Sequence, residues 1–239
     1  MTPALDRLKV KIFADGADLA DMVAMYATPY IKGFTTNPTL MRKAGIQDYR
    51  AFARDVVAAI PDRPISFEVF SDDFADMERQ ANEIASWGEN IYVKVPVTNT
   101  SRSASYDLVR RLSQQGVKVN VTAIMTLEQV SAVAAVLCDA TPACVSLFAG
   151  RVADTGRDPV PLMAEAVRRL AATPRAELIW ASPRELLNVF QADVVGCHII
   201  TVTNDILKKL ALVGHCLDDY SLDTVKMFYD DAKRAGYTL

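Results

Sequence analysis

The run NIYVKVPVTNT, residues 90–100, sets a charged side chain, Lys94, in the middle of the apolar and β-branched segment Ile91–Val97. Such segments form buried strands of parallel sheets, where a charge is kept only with a partner or a purpose. Seven further runs share its character: VKIFAD (10–15), IKGFTTN (31–37), ISFEVF (65–70), VKVNVTAIM (117–125), CVSLFAG (144–150), ELIWAS (177–182) and CHIITV (197–202). Helical patterns lie between them, with apolar residues three and four apart, as in DYRAFARDVVAAI (48–60), DFADMERQANEIASW (73–87) and PVPLMAEAVRRLAAT (159–173). Ser71-Asp72 and Thr126 are candidate N-caps, and Gly116 is placed to close a helix.

Strands that alternate with helices require parallel pairing and crossover connections. Eight such units in 239 residues predict an α/β fold, a closed (β/α)8 TIM barrel. No GxGxxG follows the first strand and no Walker A sequence occurs, so the marks of an open doubly wound sheet are missing. The expectation is one barrel domain over residues 1–239, with 218–239 as a helical tail. In that tail Leu222, Val225, Met227 and Phe228 form an apolar stripe expected to pack on the barrel or on a neighbouring subunit of a homo-oligomer.

Charge and composition narrow the function classes. Against 29 acidic side chains stand 26 basic ones and two histidines, so no basic field exists to attract nucleic acid or an anionic membrane. The opening MTPALDRLKVKIF has no long apolar core behind a positive region, and nowhere do about 18 uncharged apolar residues run together. A cytoplasmic location is expected. Cys138, Cys144, Cys197 and Cys216 form no CxxC pair, which favours buried or semi-buried thiols over a disulfide framework or a metal site. His198 and His215 read as packed or surface imidazoles.

Side chains two apart on a barrel strand point the same way, so parity assigns faces. With Ile91, Val93 and Val95 facing the helices, Tyr92 and Lys94 point inward. The same rule turns Glu68 inward between Phe67 and Val69, and Asn120 and Thr122 inward from Val119, Val121 and Ala123. Asp15 ends the first strand, Asn37 ends the second, Ser146 and Phe148 lie on the sixth, Ser182 on the seventh, and Arg151 and Arg184 lie just past strand ends. These groups converge on one mouth, where such barrels place their chemistry. Less specialised roles also fit: Lys94 and Glu68 as a buried ion pair, Asp15 as a helix cap, and Thr35-Thr36-Asn37 before Pro38 as a strand-to-helix turn.

The motifs GFTTNPTL (33–40), FEVF (67–70), YVKVPVT (92–98), VNVTAI (119–124), SLFAGRV (146–152), WASPR (180–184) and GCHIIT (196–201) together resemble the short transaldolases, in the family that also contains the fructose-6-phosphate aldolases. The resemblance implies Lys94 as Schiff-base lysine, Asp15 as handler of the hydroxyl proton in carbon–carbon cleavage, and Glu68 with Thr122 as the pair that positions a catalytic water. It further implies Thr35, Asn37, Asn120 and Ser146 as contacts to substrate hydroxyls or the imine. Arg151, Ser182 and Arg184 would form a phosphate site for sugar-phosphate substrates. No metal or organic cofactor is implied. Glu68 and Phe148 match the transaldolases, whereas the aldolase branch typically carries Gln and Tyr there. Pro183 stands where the family commonly has Phe, and Gly16 where Thr or Ser is usual.

Overall fold

The computed structural model describes residues 7–239; the opening MTPALD, part of the one-domain and no-leader expectations, lies outside the described residues. Eight parallel strands close into a barrel in chain order: β1 (Lys11–Asp15), β2 (Ile31–Thr35), β3 (Ile65–Glu68), β4 (Ile91–Pro96), β5 (Val119–Ile124), β6 (Ala143–Leu147), β7 (Ala176–Trp180) and β8 (Ile199–Thr203). The surrounding helices are α1 (Leu19–Tyr26), α2 (Pro38–Lys43), α3 (Tyr49–Ala59), α4 (Phe74–Ala85), α5 (Tyr106–Gln114) and α6 (Leu127–Ala134). They continue as α7 (Ala149–Ala153), α8 (Pro159–Leu170), α9 (Leu187–Val194), α10 (Asn204–Leu207) and α11 (Leu217–Ala235), with a 3-10 turn at Lys208–Leu212.

Several helices begin where a short polar side chain accepts from a first-turn amide that would otherwise lack a partner: Asp18, Asn37, Asp48, Asp73 and Thr126. Thr126 completes a capping box with Gln129. The cap expected at Ser71-Asp72 falls on Asp73, because Asp72 instead accepts from the Thr100 amide and hydroxyl. Gly116 ends α5 with φ +85°, as its position predicts.

Strand parity builds two apolar layers. Ile12, Phe34, Phe67, Val93, Val145 and Ile200 face the helices, each burial contributing about 1.5–3 kcal/mol. Inside the barrel Phe13, Cys144, Ile179 and Ile199 form a plug, with Tyr92 and Phe148 packed on it. Gly33 is required here, since a Cβ would sit 2.5 Å from the Phe13 ring.

Four expectations need correction. Ala123 does not face the helices: its φ is +63° and the β5–β6 register slips between Val121 and Ile124, so Ile124 takes the buried outer slot and Ala123 turns to the mouth. The sixth strand stops at Leu147, and Ala149-Gly150 belong to α7. Cys216, before α11, is exposed rather than semi-buried. Finally, of the two places expected for the tail stripe, this chain's own barrel is not one: α11 buries no residue, and Leu222, Val225 and Phe228 are 50%, 60% and 63% exposed.

Candidate active site

At the C-terminal ends of the strands lies a cavity of about 480 Å³. Its wall includes Asp15 and Thr35 from β1 and β2, Asn37 at the start of α2, Glu68, Lys94, Thr122 and Ser146. Across the mouth stand Phe148, Arg151, Ser182 and Arg184. Of the residues expected at the site only Asn120 is not on the wall; it lies fully buried beneath.

Lys94 is 7% exposed. Its Nζ donates to the Thr36 carbonyl (2.8 Å) and lies 3.0 Å from Glu68 Oε2, a contact that follows from the pairing of Glu68 with Lys94 in the β3–β4 register. The ion pair and a reactive amine are thus compatible readings of one geometry. Glu68 is itself anchored from outside the barrel. The Tyr49 hydroxyl on α3 donates to the Glu68 carbonyl (2.9 Å) and accepts from its N–H (2.8 Å), standing in for the ladder bonds that β2, which pairs only as far as Ser66, does not supply. Burial pushes the Tyr49 phenol well above its ordinary range.

A second network lies under the lysine. Asn120 Nδ2 donates to Ser66 Oγ (3.0 Å), and Asn120 Oδ1 accepts from Ser146 Oγ (2.7 Å), which fixes the amide across three strands. The Thr122 hydroxyl is buried on the cavity wall without a hydrogen-bond partner among the described residues. Asn37 caps α2 through Oδ1 (2.9 Å from Leu40 N), so the turn expected at TTNP and a wall position are the same residue.

Asp15 sits on the opposite wall, accepting from Thr35 Oγ1 (2.7 Å). The protein packed around it raises its carboxyl above the ordinary value near 3.8; the Lys94 charge and the Thr35 hydrogen bond oppose this, and Glu68 adds to it. The expected alternative, Asp15 as cap of α1, fails because Asp18 is the cap.

At the β6–β7 side, Arg184 donates to Asp154 through Nε (2.8 Å) and Nη2, and to Ser182 Oγ (2.8 Å) through Nη1. The Arg184 guanidinium holds the Asp154 carboxyl below its usual range. Ser182, ahead of Pro183, has φ +59°, and its carbonyl points at α7; a Cβ at Gly150 would lie 1.5 Å from that oxygen. Only glycine permits this approach, which draws the loop bearing Arg184 against the helix bearing Arg151. Arg151 lies over the Phe148 ring, 5.9 Å from its centroid.

Sequence reasoning missed Tyr49, Ser66, Asp154, Thr201 and Thr203. The last two line the cavity and were accessible by parity, since Ile200 and Val202 face the helices. Tyr49 sits in an ordinary helical pattern and gave no signal.

Residues 12–239 match the family described as Transaldolase/Fructose-6-phosphate aldolase. A "Probable transaldolase" of Thermoanaerobacter sp. (strain X514) is 35% identical over 228 residues, covering 95% of this chain and 99% of the relative. Another, from Dehalococcoides mccartyi, is 33% identical over 211 residues, covering 88% and 93%. Among solved structures, the N-acetylmannosamine-6-phosphate 2-epimerase of Clostridium perfringens superposes with a TM-score of 0.53 at 14% identity, covering 87% of this chain and 93% of that one. That likeness concerns the barrel alone. Matched from the first strand to the final helix, the chain belongs to the transaldolase/fructose-6-phosphate aldolase family.

Proposed function

We propose that this protein is a transaldolase that moves a dihydroxyacetone unit from a ketose phosphate to an aldose phosphate through an imine on Lys94. The observation that carries the proposal is the seating of a buried lysine between Glu68, 3.0 Å away, and a cavity whose other wall holds Asp15. In the cycle, Nζ attacks the ketose carbonyl, and water leaves as Glu68 relays protons, with the partnerless Thr122 hydroxyl available to hold that water. Asp15 takes the proton of the C4 hydroxyl. The C3–C4 bond then breaks, its electron pair flows to the imine nitrogen, and an aldehyde departs from the enamine. An acceptor aldehyde reverses these steps, and hydrolysis frees the new ketose and the lysine.

Transfer is favoured over lysis by Phe148. A phenol there would bring a proton donor to the cavity and ease protonation of the enamine carbon, whereas a phenyl ring cannot. The phosphate is assigned to Arg151 and Arg184, with Asp154 fixing the orientation of the latter.

One assay tests all three points. Fructose 6-phosphate alone should give little free dihydroxyacetone, addition of erythrose 4-phosphate should start rapid exchange, and Phe148→Tyr should raise lysis. Unphosphorylated fructose should be a much poorer donor. Equal cleavage with and without acceptor would make the protein an aldolase, and equal kcat/KM for both donors would remove the phosphate role of the arginines. The uncovered apolar face of α11 supports a homo-oligomer, an assignment that a sedimentation mass equal to one chain would remove.

A further inference from the structure

We infer that Thr201 is a positioning residue for Asp15, acting through the Thr35 hydroxyl. This assignment rests on the transfer chemistry proposed above, in which Asp15 is the base. Thr35 Oγ1 has one hydrogen and gives it to Asp15 Oδ1 at 2.7 Å, so in its contact with Thr201 Oγ1 it accepts. The order is therefore Thr201 to Thr35 to Asp15. Thr201 is 7% exposed and Thr35 is 3% exposed.

Barrel closure makes this chain possible. β1 lies between β2 and β8, with Asp15 opposite Thr35 and Phe13 opposite Thr201, so the two hydroxyls meet across β1. The Phe13 ring, seated on Gly33, belongs to the apolar plug of the barrel interior. Successive hydroxyls polarise one another, so the bond reaching Asp15 is stronger than Thr35 alone would make it. With Oδ1 tied in this way, Oδ2 is left to take the substrate proton and later return it; no proton travels along the threonines.

Other charges bear on Asp15. Lys94 and Glu68 act from β4 and β3, and Arg151 and Arg184 lie across the cavity. A neighbouring cavity that also borders Asp15 adds Asp18, Asp21, Lys43 and Asp205. None of these changes in Thr201→Val, which removes one hydroxyl from a buried strand position.

The test is the pH dependence of kcat/KM for transfer. Activity needs the ionised carboxylate, so weaker hydrogen bonding to that form should move the acid limb of Thr201→Val to higher pH by about 0.3–0.6 unit. Thr201→Ser should restore the wild-type limb. Thr35→Val should shift it further, and adding Thr201→Val to that variant should then change nothing more. Should Thr201→Val fail to fold, Thr201→Ala removes the same hydroxyl with a smaller side chain, and its acid limb should move the same way; an unmoved limb there overturns the assignment equally. A rate lowered equally at all pH values with the limb unmoved means that Thr201 only packs. A wild-type protein that forms no borohydride adduct on Lys94 overturns the transfer chemistry and this assignment with it; an adduct with an unshifted limb overturns the assignment alone.

Discussion

Lys94→Ala should abolish transfer, by roughly 10⁴-fold or more, and remove the three-carbon adduct that borohydride should leave on the wild-type protein in the presence of a ketose donor. Among the described residues Lys94 is the one lysine on the cavity wall, held by the Thr36 carbonyl and Glu68, so no other described lysine is placed to replace it. The substitution also strands Glu68, whose carboxylate then lacks its counter-charge, and this should cost about 3 kcal/mol of stability. Adding Glu68→Gln should return most of that stability and none of the activity, since a neutral pair no longer leaves an uncompensated charge. The two readouts therefore separate ion pair from nucleophile. An adduct found on a different lysine, or turnover surviving in the alanine variant, would end the imine mechanism.

The strands, their order and the inward direction of Lys94, Glu68 and Asn120 were legible because period-two alternation and hydrophobic runs are local properties of the chain. Legibility failed where the cause was not local. Ala123 breaks parity through a single left-handed residue, which no apolar pattern announces. Tyr49 reads as an ordinary amphipathic position in α3, yet its hydroxyl closes the backbone of Glu68 nineteen residues away. Arg184 was placed just past a strand end beside the mouth, but its partner Asp154 lies thirty residues back, at the end of α7. Thr35 and Thr201 are 166 residues apart, and their contact exists only because β8 returns to β1. The family motifs supplied only expected roles for the wall residues, whereas these second contacts arise from the closed fold.

Asp15→Asn should separate imine formation from bond cleavage. Lys94 and Glu68 stay untouched, so the amine should still condense with the ketose; what is lost is the group proposed to accept the C4 hydroxyl proton. Turnover should fall by about 10²–10⁴, the range of a positioned general base. Borohydride should now trap an adduct carrying the whole ketose rather than its three-carbon fragment, a mass difference that intact-protein spectrometry resolves. Stability should change as well. The folded protein raises the Asp15 carboxyl above its ordinary value near 3.8, chiefly by burial, so above that raised value the ionised side chain weakens the fold. Asparagine carries no such charge and can still accept from Thr35. The variant should therefore melt at a higher temperature than wild type at neutral pH, and the difference should shrink as pH falls through the raised value, vanishing below about 3.8, where both side chains are neutral. A three-carbon adduct persisting in Asp15→Asn would assign cleavage to another base, and a melting difference independent of pH would show that the gain came from packing and not from the buried charge.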